Sequence, residues 1–163
     1  MSHNIEREQP IIVWFRDDFR LQDNPAFDAA VKTGQLIIPV FTLEPKNRWS
    51  YGEASKLWLG ATLRQLNSDL KVRGSYLVCL KGEPNTLLQF LIEKTNARSI
   101  YWNRRYDPSG VSVDKAIFSN LKSRCDIKSF EGRLLSEPTT LKSGGGTPYK
   151  VFTPFYKMCL KVG

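Results

Sequence analysis

Apolar and polar positions alternate in blocks along this chain, and the blocks predict five strands separated by helices. Short runs of β-branched and aromatic residues predict the strands, because such runs are typical of strands covered on both faces. The predicted strands are Ile11–Phe15, Leu36–Thr42, Ser75–Leu80, Arg98–Trp102 and Asp126–Phe130. Strands that alternate with helices favour an α/β fold with a parallel sheet.

Apolar residues at helical spacing, with Pro or Gly at the ends, predict the helices. These are Pro25–Lys32, Glu53–Val72, Pro84–Asn96, a segment around Val113–Leu121, and Phe155–Leu160. Four leucines share one face of the longest helix: Leu59, Leu63, Leu66 and Leu70. We expect Trp58 and Ala61 to widen that buried face. Cys79 lies within a strand pattern, so we expect it in the core.

Right-handed crossovers arrange these strands as a doubly wound, Rossmann-like parallel sheet of order 3-2-1-4-5, with helices on both faces. In this order the first and fourth strands lie side by side at the switch point. Open parallel sheets bind ligands at the carboxyl ends of their strands, beside that point. We therefore expect the loops at residues 16–20, 41–44 and 103–107 to surround one crevice.

The loop after the first strand is densely charged. It carries Arg16, Asp17, Asp18 and Arg20. These side chains either form a site or satisfy one another, since exposed ion pairs contribute only about 0–1 kcal/mol. The residues alone leave both interpretations open. Asp23 or Asn24 can cap the helix that begins at Pro25, where a missing N–H costs nothing.

Composition narrows the classes of function. The chain has 24 basic and 16 acidic residues, a net charge of +8, which suits contact with phosphates but also simple solubility. Cys79, Cys125 and Cys159 match no metal spacing and fit reduced thiols, as expected for a cytoplasmic protein. The single histidine, His3, excludes a Ser-His-Asp triad. Neither a dinucleotide-binding glycine motif nor a Walker loop is present. No apolar run approaches the ~20 residues of a membrane helix.

Four motifs, in order and at matching spacing, resemble the DNA photolyase/cryptochrome family. Residues 14–26 read WFRDDFRLQDNPA, similar to the family's opening signature WFRRDLRLxDNPAL. The others are YWNRRYDP at 101–108, SFEGRLL at 129–135 and PYKVFTPF at 148–155. The resemblance covers roughly residues 10 to 161, and the WNRRYDP form looks most like bacterial cyclobutane pyrimidine dimer photolyases.

This resemblance implies the N-terminal α/β domain of a photolyase, which binds an antenna chromophore: a folate, a deazaflavin or a flavin nucleotide. In the family the antenna passes excitation to FAD, which sits in a separate C-terminal helical domain and repairs damaged DNA. We expect a disordered lead-in at residues 1–9, the α/β domain at 10–135, and the start of the linker toward the helical domain at 136–163. Without the FAD domain, the chain alone is expected to lack photo-lyase activity and to bind DNA weakly or not at all.

Carried over by position, the resemblance implies ten cofactor-binding residues and neither catalytic nor metal residues. The crevice would be lined by Arg16, Phe41, Thr42, Leu43, Glu44, Ser55, Arg105 and Asp107, and flanked by Asn103 and Tyr106. An aromatic and aliphatic wall packs a flat heterocycle, while polar side chains bond its edges. The chain departs from the family in two places. Asp17 replaces the usual basic residue, which disfavours a phosphate-bearing antenna. Ser109–Gly110 stands where some folate-binding members have a larger polar pair.

Three functions other than chromophore binding are compatible with the sequence: DNA contact, a chromophore-free module and nucleotide hydrolysis. Four basic residues near the C-terminus could contact a DNA backbone, although a solvated basic edge explains them better: Arg133, Lys142, Lys150 and Lys157. A chromophore-free binding or regulatory module on the same fold is the main alternative. A nucleotide hydrolase is the weakest alternative, because the chain has no phosphate loop and no histidine beyond the tail.

Overall fold

The computed structural model of the chain describes residues 9–44, 51–134, 137 and 141–162. The chain divides into two compact units, Met1–Gly132 and Arg133–Gly163. The predicted lead-in, except for Gln9, and part of the predicted linker lie outside the described residues. The domain boundaries given above stay predictions.

The described part of the first unit alternates strands and helices as predicted. Its strands are β1 (Ile11–Phe15), β2 (Ile37–Leu43), β3 (Val78–Lys81), β4 (Ser99–Asn103) and β5 (Asp126–Phe130). Its helices are α1 (Pro25–Lys32), α2 (Glu53–Lys71), α3 (Pro84–Thr95) and α4 (Pro108–Leu121). In the second unit, α5 (Phe152–Val162) begins three residues before the predicted Phe155.

The strands form one parallel sheet in the order β3-β2-β1-β4-β5, which confirms the predicted fold. β1 pairs with β2 from Ile11 opposite Ile37 and with β4 from Ile11 opposite Ser99. Pro39 lies inside β2, but β3 pairs with β2 only from Val40 onward. The missing N–H of Pro39 is therefore accommodated beyond the end of the edge strand.

Alternate residues of the central strand face two separate cores. Ile11, Val13 and Phe15 pack with residues of α1 and α2 on one face of the sheet. Ile12 and Trp14 pack with residues of α3 and α4 on the other face. The loop after β1 is thus held by a strand that is buried on both sides.

Two expectations about burial are wrong. The leucine stripe of α2 packs against the core, but Trp58 is 66% exposed and Ala61 is exposed, because only the stripe itself faces the sheet. Cys79 is exposed, because β3 is a four-residue edge strand that is covered incompletely. None of the helices described here is both long and apolar enough to cross a membrane.

Candidate functional site

The loops after β1, β2 and β4 meet at the carboxyl edge of the sheet, because these strands are neighbours in a parallel arrangement. The ten predicted residues lie on these loops, on the strand ends and in the first turn of α2. Four of them are buried, namely Arg16, Phe41, Thr42 and Asn103, and we call these the buried set. The other six are more accessible to solvent, and we call these the half-exposed set.

The buried set centres on Asn103, the last residue of β4, which is 2% exposed. Its Nδ2 donates hydrogen bonds to Asp18 Oδ2 at 2.5 Å and to Asn24 Oδ1 at 2.8 Å. Its Oδ1 accepts from the Ala26 amide at 3.1 Å. Both polar atoms of the Asn103 side chain thus have hydrogen-bond partners inside the protein, as buried polar groups require. We call Asp18, Asn24 and Asn103 the buried network.

This network explains much of the first sequence motif. Asn24 is the N-cap of α1 and accepts from the Phe27 amide at 3.1 Å, while its Nδ2 donates to the Arg20 carbonyl at 2.9 Å. Asp18 Oδ1 accepts from the Arg16 amide at 2.9 Å. The loop after β1 is therefore folded by its own polar side chains, which fix where α1 begins.

Gly132, directly after β5, leaves room for the buried network. A Cβ at this position would lie 2.5 Å from Asn103 Cγ and 2.7 Å from its Oδ1, which is too close for any side chain. The Gly132 carbonyl accepts from Arg20 Nη2 at 2.9 Å. Gly132 of the third motif thus contacts Arg20 of the first motif and packs against Asn103 of the second.

Arg16 is also buried, at 7% exposure, although we predicted it as a crevice contact. Its Nη1 lies 2.5 Å from Asp114 Oδ1, and its Nη2 donates to the Asn103 carbonyl. Its guanidinium carbon lies 4.5 Å from the Trp14 ring centre, a cation–π distance. Its Nε is buried without a hydrogen-bond partner among the described residues. Most of the donor capacity of Arg16 is therefore committed to the protein.

The half-exposed set centres on Arg105, which is 21% exposed. Its Nε donates to Asp107 Oδ1 at 2.8 Å and its Nη2 donates to Asp107 Oδ2 at 2.9 Å, a bidentate pair. Its Nε also lies 3.7 Å from Asp17 Oδ2, and its Nη1 lies 3.6 Å from Glu44 Oε1. One guanidinium thus faces three carboxylates, one from each loop. We call Arg105, Asp107, Asp17 and Glu44 the Arg105 cluster.

The charges of this cluster shift the pKa values of its members. Partial burial by itself would raise the pKa of Asp107, but hydrogen bonds from Arg105, Ser109 and the Gly110 amide outweigh it and hold that pKa well below its ordinary value. Burial would likewise lower the pKa of Arg105, but its bonds to Asp107 and the charges of Asp17 and Glu44 raise it instead. Both groups stay charged near neutral pH.

Gly110, in the first turn of α4, leaves room for the Arg105 cluster, just as Gly132 leaves room for the buried network. Its Cβ would lie 2.5 Å from Arg105 Cβ and 2.8 Å from Asp107 Oδ1. Asp107 is the N-cap of α4 and accepts from the Gly110 amide at 2.8 Å. Gly110 belongs to the Ser109–Gly110 pair, where this chain departs from the larger pair of some folate-binding members, and a larger residue here would displace Arg105.

The remaining predicted residues differ in how they meet the crevice. Phe41 is buried against Phe19, with ring centres 5.5 Å apart, and Thr42 is buried and accepts from Trp14 Nε1 at 3.0 Å. The other three are more accessible: Leu43 and Ser55 are exposed and Tyr106 is half-buried.

Sequence reasoning missed two residues of this edge. Tyr51, just before α2, places its hydroxyl 3.4 Å from Asp17 Oδ1, and burial followed by the charge of Asp17 raises the pKa of Tyr51. Asp114 holds Arg16 and accepts from Trp102 Nε1 at 3.1 Å. Asp114 lies three residues before the buried Ile117, so its place on the inward stripe of α4 was a usable signal.

The Arg105 cluster offers charged donors and acceptors that are partly exposed to solvent. It can therefore hydrogen-bond the polar edge of a flat ligand. The described residues contain no group of His, Cys, Asp and Glu that could hold a metal ion. In the second unit, Lys142, Lys150 and Lys157 are exposed, as the basic-edge interpretation expects.

Comparisons with known proteins agree on one family. The family model described as DNA photolyase matches residues 11–163. The deoxyribodipyrimidine photo-lyase of Agrobacterium fabrum is 44% identical over 149 residues, which cover 91% of this chain and 31% of that protein. The chain thus spans about a third of the length of this curated relative.

Two solved structures are similar to this fold. The class III photolyase of Agrobacterium tumefaciens superposes with a TM-score of 0.87 at 42% identity, over 93% of this chain and 32% of that one. An archaeal photolyase from Sulfolobus tokodaii superposes with a TM-score of 0.83 at 26% identity, over 95% of this chain and 35% of that one. The archaeal structure holds two FAD molecules and implies a novel light-harvesting cofactor.

Proposed function

This chain belongs to the DNA photolyase family, in which it corresponds to the N-terminal α/β domain, and we propose that it binds an antenna chromophore in the crevice beside Arg105. The chromophore is a flat heterocycle of the folate, deazaflavin or flavin class. When bound, such a group absorbs light and passes the excitation to FAD. In the full-length protein the proposed outcome is light-dependent repair of cyclobutane pyrimidine dimers in DNA.

One observation carries this proposal: the partly exposed guanidinium of Arg105 lies at the switch point with three carboxylates around it. Arg105 lies on the loop after β4, and Glu44 and Asp17 reach it from the loops after β2 and β1. The flanking residues offer the contacts a flat ring needs, since Leu43 is exposed and Tyr106 is half-buried. This donor set fits a heterocycle with both donor and acceptor atoms on its edge.

The residues of the chain have separate roles in this proposal. Arg105 donates to acceptor atoms of the ring edge, and Glu44 accepts from ring or exocyclic N–H groups. Asp107 orients Arg105 through its bidentate pair. Asp17 and Tyr51 close the polar side of the crevice.

Absorption and fluorescence titrations with a reduced folate, a deazaflavin and a flavin mononucleotide test this function. We expect at least one of the three to bind with a saturable spectral change. If none binds, the antenna function is wrong. As a second readout, the chain with added FAD should not reverse thymine dimers under light, and reversal would contradict its proposed dependence on the helical domain.

A chromophore-free module is the second candidate, and the same cluster motivates it. Every carboxylate of the Arg105 cluster lies within 3.7 Å of that guanidinium, so the crevice can be neutralised without a ligand. The titrations separate the two candidates, because a ligand-free module would show no saturable change with any chromophore.

A further inference from the structure

A concave surface lies at the edge of the sheet opposite the Arg105 cluster, where β4 and β5 begin. We call it the amino-edge groove and define it by Arg98, Phe118, Lys122, Arg124, Cys125 and Asp126. Its volume is about 600 Å³, which is within the size range of small-molecule sites. Five-residue strands separate this edge from the crevice by roughly 17 Å. The groove is therefore independent of the chromophore site.

The charge of this groove is positive, and part of it is not neutralised by the protein. Arg124 Nη1 pairs with Glu93 Oε1 at 2.9 Å, and Asp126 Oδ2 pairs with Lys128 Nζ at 3.2 Å. The side chains of Arg98 and Lys122 are exposed, and neither forms a hydrogen bond or ion pair with any part of the chain that the structure describes. Two cations that face one groove without partners are matched by a doubly charged anion.

An aromatic ring lies in the same groove. Phe118 is 49% exposed, although it lies on α4 between residues that pack into the core. An exposed ring offers a flat apolar surface, on which nucleobases stack. The arginine fork and the lysine ammonium bind phosphate oxygens.

Two carbonyl groups in the last turn of α4 accept hydrogen bonds, which weakens their repulsion of an anion at this edge. The last turn of α4 points toward this edge, but the Lys122 amide donates to the Phe118 carbonyl at 3.0 Å. The Leu121 carbonyl accepts from the Arg124 amide at 2.9 Å and the Cys125 amide at 3.1 Å. Burial, and then the charge of Asp126, raises the pKa of Cys125 to about 11, so its thiol stays neutral beneath the groove.

We propose that the amino-edge groove binds a nucleoside phosphate, with the phosphate at Arg98 and Lys122 and the base against Phe118. A phosphate monoester carries about two negative charges at neutral pH, which equals the number of unpaired cations. Either a free nucleotide or the end of a single-stranded nucleic acid supplies this chemistry.

The test is an NMR titration of the full chain with adenosine monophosphate, inorganic phosphate and adenosine. We expect adenosine monophosphate to bind most tightly and to shift the amide resonances of Phe118 and Ile127. The double variant Arg98→Gln/Lys122→Gln should weaken this binding by about fivefold or more. The matched control is Lys32→Gln/Lys71→Gln, which makes the same change in net charge on exposed residues of α1 and α2. The control should bind as the unmodified chain does.

Three results would overturn the proposal: no saturable shift, shifts that lie elsewhere, or equal weakening in both double variants. Thermal unfolding of each variant checks that the fold is intact. A titration with short oligothymidylates that carry a 5′ phosphate shows whether the natural ligand is a free nucleotide or the end of a single-stranded nucleic acid. Affinity that grows with length assigns nucleic acid, and affinity equal to that of the mononucleotide assigns a free nucleotide.

Discussion

The buried network and the Arg105 cluster lie on the same edge of the same sheet, and both contain aspartate, yet they differ in their access to solvent and in their functional roles. Asn103 and its partners are inaccessible, and each polar atom has a partner inside the protein. Arg105 is partly open to solvent and shares three carboxylates. The first arrangement stabilises the fold, whereas we propose that the second exchanges a protein partner for a ligand.

The difference shows that a prominent motif is not by itself a binding site. Asp18 and Asn24 stand in the strongest sequence motif, but the Asp18 carboxylate accepts from the Arg16 amide and the Asn24 side chain caps α1. Removing one buried partner costs more than removing an exposed ion pair, because the group left behind stays desolvated. Substitutions in the two regions should therefore separate stability from binding.

The largest expected effect is the loss of stability in Asn103→Ala. The buried carboxylate of Asp18 loses a donor and the Ala26 amide loses its acceptor, so we expect the free energy of unfolding to fall by about 3 kcal/mol. Urea denaturation measures this change. The matched variant Arg105→Ala should cost less than about 1 kcal/mol. Equal costs would remove the distinction between the two regions.

Gly132→Ala should have the next largest effect on stability. The new methyl group would meet the Asn103 amide, and we expect a loss of about 1–3 kcal/mol in urea denaturation. Gly144→Ala is the control, since a Cβ there meets nothing within 4 Å, and it should change stability by less than about 0.5 kcal/mol.

Gly110→Ala tests whether the Arg105 cluster, rather than the buried network, binds the chromophore. Its methyl group displaces Arg105 rather than Asn103, so chromophore binding should weaken in this variant. Chromophore affinity should persist in folded Gly132→Ala. A loss of binding in both variants, at equal folded fraction, would mean that the two regions act as one.

Asp17→Arg should have a moderate effect on ligand choice. Asp17 lies 3.7 Å from Arg105, so reversing its charge removes repulsion toward a phosphate and adds attraction. We expect the affinity for flavin mononucleotide to rise about fivefold in a fluorescence titration. The control Asp69→Arg makes the same change in net charge on the distant part of α2. A similar gain in the control would show that the net charge of the protein, rather than the charge beside Arg105, sets the affinity for flavin mononucleotide.

The smallest effect concerns acid stability. Because the pKa of Asp107 is lower in the folded state, its carboxylate contributes stability that is present above about pH 4 and is lost as pH falls further toward the folded pKa. The side chain is 41% exposed, so solvent screening limits this contribution to less than about 1 kcal/mol. Urea denaturation of Asp107→Asn should therefore show a deficit at pH 7 that shrinks by pH 3. A constant deficit would contradict this origin.

The sequence predicted the sheet order and the meeting of the loops after β1, β2 and β4 at one edge, because alternating strands and helices with right-handed crossovers leave few topologies. It could not separate Arg16 from Arg105. Which arginine is buried depends on Asp114, which lies 98 positions away along the chain. Trp58 was misplaced for a related reason, since helical spacing marks a face but not how much of that face the sheet covers.

The most direct test compares chromophore affinity in the unmodified chain and in Arg105→Ala, for whichever chromophore binds. The account predicts affinity at least about tenfold weaker in Arg105→Ala, which corresponds to about 1.4 kcal/mol, together with nearly unchanged unfolding in urea. Unchanged affinity would contradict the assignment of the Arg105 cluster as the chromophore site.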